Sequence, residues 1–173
     1  SSWLTDVLLS FPDILLALAI IAVLGPGIAN AMVAIGIAFI PAFVRVTRSN
    51  VLGLREMDYI EAARAIGVRD SQIILRHILP NAMRTLLVLL TLGIGSAILA
   101  GAALSFLGLG AQPPTPEWGA MLNAGQKYIR QAWWITVFPG LGIFLTVLAI
   151  NLIGDAIADA VAGTDGSAAR KAT

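Results

Sequence analysis

Few residues in this chain could carry covalent chemistry. His77 is the only histidine, and there is no cysteine. That leaves no thiol nucleophile, no disulfide framework and no Cys metal site, and too little for a triad or a His-based metal centre. No GxxxxGK[ST] run occurs. Gly108-Leu109-Gly110 is no nucleotide fingerprint either, because Pro113 stands three residues past Gly110 and no strand precedes it. What remains is charge arranged for recognition. The run Tyr59 to Pro80, YIEAARAIGVRDSQIILRHILP, gathers Glu61, Arg64, Arg69, Asp70, Arg76 and His77, with Arg84 just past its end. Residues of these types on a short helix-forming insert can hold a partner by shape and charge. The other polar groups near apolar runs are Asp13, Asn151, Asp155 and Asp159. No catalytic residue, no metal and no cofactor of its own is expected for this chain.

The elements that position the insert follow from composition. The chain is 58% hydrophobic and 12% charged, against about 25% charged residues in a soluble domain. A membrane protein is the default reading. A net charge of +1 without a concentrated basic face excludes a nucleic-acid binder. The chain opens on Ser1 without a basic n-region or cleavage site, so no signal peptide is expected and a fragment or processed product is.

Ile14 to Val44 is 31 residues without a charge. As one helix it would be about 46 Å long, too long for a hydrocarbon core of roughly 30 Å. Gly25-Pro26-Gly27 divides it, giving spans at about 8–24 and 28–46 joined by a tight hairpin. A third span is expected at 84–105 and a fourth at 132–155, the last with Pro139 and Gly140 near its start, where a kink is expected. Lipid cannot satisfy the backbone of an isolated strand, so the spans are helices. Seven of the 11 Lys and Arg residues (Arg45, Arg48, Arg55, Arg64, Arg69, Arg76 and Arg84) lie between spans two and three. The positive-inside rule makes this loop, 49–82, and both ends cytoplasmic. The hairpin and the 106–131 loop are then external. Trp118, Tyr128, Trp133 and Trp134 gather at the outer end of span four, as an aromatic belt would.

Within the cytoplasmic loop, Asp58 and Glu61 form a capping-box-like pair. A helix Tyr59–Ile66 is predicted to end at Gly67, the residue that most cheaply adopts a left-handed conformation. Asp70 is predicted to cap a second helix, Ser71–Leu79, stopped by Pro80, and Asn81 to cap span three. The result is an L-shaped knob. Ala62 and Ala63 let another backbone approach, and Ile73, Ile74 and Ile78 give it an apolar side. It suits a groove on a soluble partner, although a solvated loop pinning two spans would look similar.

The order of these residues resembles the EAA motif of ABC-importer permeases: EAA, three residues, G, nine residues, IxLP. Here Glu61-Ala62-Ala63, Gly67 and Leu79-Pro80 fill the pattern, with His77 at the site of the isoleucine. His77-Ile78-Leu79-Pro80-Asn81 is similar to the dipeptide, oligopeptide and nickel branch, and specifically to its second, C-type permease. Also similar are Ala29–Arg48, Leu104–Gly110, Pro113-Pro114 followed by Glu117-Trp118-Gly119, and Asn151–Asp155. The resemblance covers about residues 7–160. It implies an N-terminally shortened type I permease core, since family members carry one or two earlier spans. It implies a second homologous permease subunit, one or two ABC ATPase subunits that hold the ATP and Mg, and an extracytoplasmic solute-binding protein. It also implies a coupling site at Glu61, Ala62, Ala63, Gly67, Ile74, His77, Leu79 and Pro80. Glu61 would meet a base on the ATPase, and Gly67 would make the corner. The tail 161–173 lacks the family's usual basic, proline-containing ending and is expected to be disordered.

Other features admit two readings each. Gly93, Ala97, Gly101 and Ser105 recur every four residues and form a small-residue stripe. It fits a permease–permease interface or pathway wall, or tight packing within the subunit. Asn151 and Asp155 fit a pathway or an ion pair. Carboxylates oppose the dipole at a helix C-terminus, so Arg45 or Arg48 is expected beside Asp155. Thr115-Pro116-Glu117 is predicted to open a short external helix to about Gly125, either as a lid or as a plain connection.

The expectation is therefore an all-α polytopic integral membrane protein of a prokaryotic inner membrane, with four transmembrane helices in this fragment. Its expected role is the pathway subunit of an importer for di- or oligopeptides, or alternatively for nickel or glutathione. A stand-alone channel or secondary transporter would show charged relays or broken helices inside its spans. A membrane enzyme would show clustered His, Cys or acidic groups.

Overall fold

Runs of apolar residues with no charge become helices here because only a helix satisfies its own backbone in lipid. The computed structural model describes the backbone of residues 12–170 and the side chains of 12–160. Every regular element among the described residues is helical: α1 Asp13–Leu24, α2 Ile28–Arg55, α3 Asp58–Ala65, α4 Asp70–Ile73, a π-helical turn Ile74–Ile78, α5 Leu79–Phe106, α6 Trp118–Gly125, a 3-10 turn Gln126–Tyr128, and α7 Trp134–Arg170. Three stretches are long and apolar enough to cross a bilayer: Ile28–Arg55, Asp70–Phe106 and Trp134–Ala160. The middle one has a mean hydropathy of 2.2 over its best window, yet only 11% of that window is buried. Apolar surface left bare on this scale calls for lipid or further helices as its solvent. The span expected at 8–24 appears as the 12-residue α1; its positions 8–11 lie outside the described residues. α7 runs through Pro139 to Arg170; of the tail expected to be disordered, 161–173, positions 171–173 lie outside the described residues. Alanine is frequent from Ala156 onward, and alanine is the strongest helix former.

The described chain divides into two compact units. One holds the residues up to Pro41 together with Leu92–Asn151. Its core is Ala17, Ile21, Ala31, Ala34, Ile35, Ala38 and Leu104, mostly small side chains, as close helix packing without a hydrophobic drive requires. The hairpin between α1 and α2 is closed by the Gly25 amide, which donates to the Ile21 carbonyl at 2.8 Å. Asn30 Nδ2 donates to the carbonyls of Leu24 and Gly25 at 2.9 and 3.1 Å. Further on, α6 crosses α5 with Gly119 against the Ala102 backbone. Thr115 does not cap this helix. Glu117, in an extended conformation, caps it instead, its carboxylate accepting from the Ala120 amide at 2.8 Å.

The other unit comprises Ala42–Thr91 and the chain from Leu152. Ile60, Ile73 and Ile78 form its buried centre, with Val51, Leu54, Ala63 and Val68 packed around them. Asn50 Nδ2 donates to Thr85 Oγ1 at 2.9 Å, tying α2 to α5. Gly154 sits against Thr91, tying α7 to α5.

Pro80 does not end a helix. The chain is helical without a break from Asp70 to Phe106. Proline has no N–H to give, and its ring would press on the carbonyl four residues back, at Arg76. The π turn relieves this: the Leu79 amide donates to the Ile74 carbonyl, five residues back, which widens the helix where the proline enters.

Candidate functional site

The knob is built on α3. Its entry is uncapped: Met57 precedes it in an extended conformation with no side-chain hydrogen bond, and Asp58 is already inside the helix. The expected capping box is therefore absent. Asp58 and Glu61 instead place carboxylates in the first turn, where they complement the exposed amides and the dipole. The exit is a Schellman motif: the Gly67 amide donates to the Arg64 carbonyl at 2.9 Å and the Val68 amide to the Ala63 carbonyl at 3.1 Å. This geometry needs a left-handed residue, and Gly67 takes φ +81°. Asp70 likewise does not cap α4; Arg69 holds that position, also without a side-chain hydrogen bond. The Asp70 carboxylate faces the Arg64 guanidinium at 4.0 Å, an exposed pair that contributes little.

Ile60 points inward and is fully buried. Helical spacing then turns Glu61, Ala62 and Ala65 outward, and all three are exposed. Ala63 is half-buried beside Ile60. The outward face ends in Ile66, an apolar side chain 81% exposed at the corner. A solvent-facing isoleucine beside two small residues and two carboxylates is what a docking face presents. Sequence reasoning passed over Ile66, although its place just before the helix-ending glycine was a usable signal.

Of the other expected coupling residues, Ile74, Leu79 and Pro80 are exposed and His77 is half-buried. The His77 ring lies 6.1 Å from that of Tyr59, tilted against it. Asn81 does not cap the span. Its Nδ2 donates to the His77 carbonyl at 2.7 Å and reaches Tyr59 Oη at 3.5 Å. On the α5 stripe, Ala97, Gly101 and Ser105 line an open apolar groove of about 490 Å3 with Ala31, Ile35 and Phe39 of α2, and Gly93 is half-buried. Ser105 is buried and serves a turn: its Oγ accepts from the Ala111 amide at 3.2 Å. Asn151 is half-buried with its Oδ1 against Gly95. Asp155 is exposed, and no ion pair joins it to Arg45 or Arg48; an exposed carboxylate gains little from such a pair.

No group of three His, Cys, Asp or Glu residues among those described could hold a metal ion. Nor does any described nucleophile sit beside a base. Nothing described in the knob is arranged to make or break a bond.

Residues 1–163 match the family model described as "Binding-protein-dependent transport system inner membrane component". The chain is 56% identical over 156 residues to the "Glutathione transport system permease protein GsiD" of Escherichia coli (strain UTI89 / UPEC), and equally to that of Shigella boydii serotype 4 (strain Sb227). Each alignment covers 90% of this chain and 52% of the relative, so the chain spans about half the length of the curated relatives it matches. Among solved structures, a chain of the MetNI methionine ABC transporter in an inward-facing conformation superposes with a TM-score of 0.69 at 23% identity. That match covers 92% of this chain and 73% of the other, and it is a likeness of fold.

Proposed function

The chain belongs to the binding-protein-dependent transport system inner membrane components, and from that premise we propose that it forms the translocation pathway of an ATP-driven importer for small peptides. Glutathione, itself a small peptide, is the solute favoured by the 56% identity to permeases of that name. One observation carries the coupling reading. The knob turns Glu61, Ala62, Ala65 and Ile66 to the surface around a left-handed Gly67, while Ile60 anchors it from inside. A rigid plug with an outward small and apolar face fits a cleft on a cytoplasmic ATPase. Glu61 meets a basic residue there. A second permease subunit completes the pathway, and an external binding protein delivers the solute.

The mechanism is alternating access. ATP binding on the partner subunits favours one of two arrangements, and the knob is the lever through which this chain follows. Its own residues hold and transmit; ATP and Mg stay on the ATPase. Both ends of the chain lie on the cytoplasmic side with the knob.

The test is co-purification of the full-length protein with its candidate ATPase in detergent, alongside glutathione uptake in proteoliposomes. Wild type retains the ATPase and takes up solute; Gly67→Val loses both while still inserting in the membrane. An ATPase held equally by the two proteins, with equal uptake, would overturn the coupling role.

A further inference from the structure

The buried centre of the knob contains a spacing that an α-helix cannot use. Ile73 and Ile78 are both buried, at 1% and 6% exposure, against the same Ile60. They are five residues apart. At 3.6 residues per turn, five steps leave two side chains about 140° apart, on different faces, whereas four steps leave about 40°. The π turn Ile74–Ile78 lies between them, and its five-residue hydrogen bond from Leu79 to Ile74 absorbs the extra residue. With that residue absorbed, Ile73 and Ile78 reach one face.

The consequence extends to both flanks of the turn. Upstream, Asp70 meets Arg64. Downstream, Asn81 meets Tyr59. Arg64 and Tyr59 both belong to α3, so one eight-residue helix is touched from both sides of the turn. In a plain α-helix, one more residue rotates everything beyond it by about 100°. The two contacts could not then be kept together. Pro80 disfavours that plain helix, because its ring opposes the carbonyl of Arg76. Asn81 occupies the His77 carbonyl with its side chain.

We propose that Pro80 is a positioning residue, which uses the π turn Ile74–Ile78 to fix the rotational register between the knob and the span beginning at Leu79. For its consequence in transport this rests on the coupling reading. For its geometry it rests on Ile60, Ile73 and Ile78. The knob then transmits rotation as well as displacement, because Ile60 of α3 packs against both Ile73, before the widened turn, and Ile78, at its end.

This segment contains no cysteine, and any cysteine outside it is first changed to serine, so that paired cysteines can be read without background. The full-length protein in membranes carries either Arg64→Cys with Asp70→Cys or Tyr59→Cys with Asn81→Cys. A homobifunctional maleimide about as long as a tyrosine side chain joins them. Both pairs cross-link in the otherwise wild-type chain. With Pro80→Ala the 64–70 pair persists, reporting a folded knob, and the 59–81 yield falls about tenfold. Adding deletion of Leu75, an exposed residue of the π turn, restores the 59–81 pair by removing the residue the turn absorbed. A 59–81 yield unchanged by Pro80→Ala overturns the proposal, as does failure of the deletion to restore it. If Pro80→Ala also loses the 64–70 pair, deletion of Leu75 alone is read instead; a persistent 59–81 pair there overturns the proposal, and its loss supports it. Uptake measured on the same variants follows the 59–81 yield. Cross-linking as expected with unchanged uptake would leave the register standing and remove the coupling reading.

Discussion

Glycine does two different jobs in the two units. In the unit that holds α1, the later half of α5 and α6, Gly119 is there for space: a Cβ added to it would overlap the Ala102 carbonyl oxygen, a backbone atom that cannot step aside. In the knob, Gly67 is there for conformation: a Cβ would meet nothing within 4 Å, but φ is +81°. The first unit excludes side chains to bring helices together, as a membrane bundle must. The second leaves its corner open to solvent and spends its glycine on shape. A crowded glycine marks packing, and an uncrowded left-handed glycine marks a surface that something else fits. The same contrast separates the alanines, buried at Ala34 and Ala38 and exposed at Ala62 and Ala65.

Substitutions can break this contrast in order of size. Gly119→Val has the largest expected effect, about 3 kcal/mol or more, because overpacking here presses on backbone. Thermal unfolding in detergent should show a large drop or loss of the folded protein; an unchanged midpoint would deny the close crossing. Gly67→Val comes next, at about 1–3 kcal/mol of local backbone strain. Here the unfolding midpoint should fall less than for Gly119→Val while ATPase retention is lost. Gly67→Asn, which tolerates the left-handed region, should keep most of the retention, and equal loss in both would mean that the missing side chain, not φ, matters at this corner. Glu61→Lys should leave stability within about 0.5 kcal/mol, as for an exposed position. It should weaken ATPase retention about tenfold, most clearly at low salt; a stability loss without a binding loss would place Glu61 in the knob's own fold. Asp70→Asn should be the smallest, no more than about 0.5 kcal/mol by denaturant titration, since the Arg64 pair is exposed.

Much of this molecule can be read along its chain. The uncharged runs predict membrane helices, and the break at Gly25-Pro26-Gly27 separates α1 from α2. The family-like order Glu61-Ala62-Ala63-Gly67 points to the knob, and the left-handed corner falls at Gly67. These features are local: each depends on a run of apolar residues or on one residue's backbone freedom. The caps misled because a carboxylate can either cap a helix or sit in its first turn, and the choice turns on one residue of backbone conformation. Asp58 and Asp70 lie in the first turn, while Glu117 takes the cap expected at Thr115.

Sequence by itself determined the class of protein, the helical spans and the corner, because hydrophobic length and glycine's freedom at positive φ act within a few residues. Tertiary structure alone decided that Pro80 is passed rather than obeyed. Proline's local preference is to end a helix, and nothing in the run Ile73 to Asn81 announces a five-residue hydrogen bond. When Ile73 and Ile78 are both drawn against Ile60 while Pro80 opposes the plain helix, the widened turn becomes the arrangement that buries them together. That contact lies across the Gly67 corner, and burial of apolar side chains there outweighs a preference that Pro80 would express in isolation.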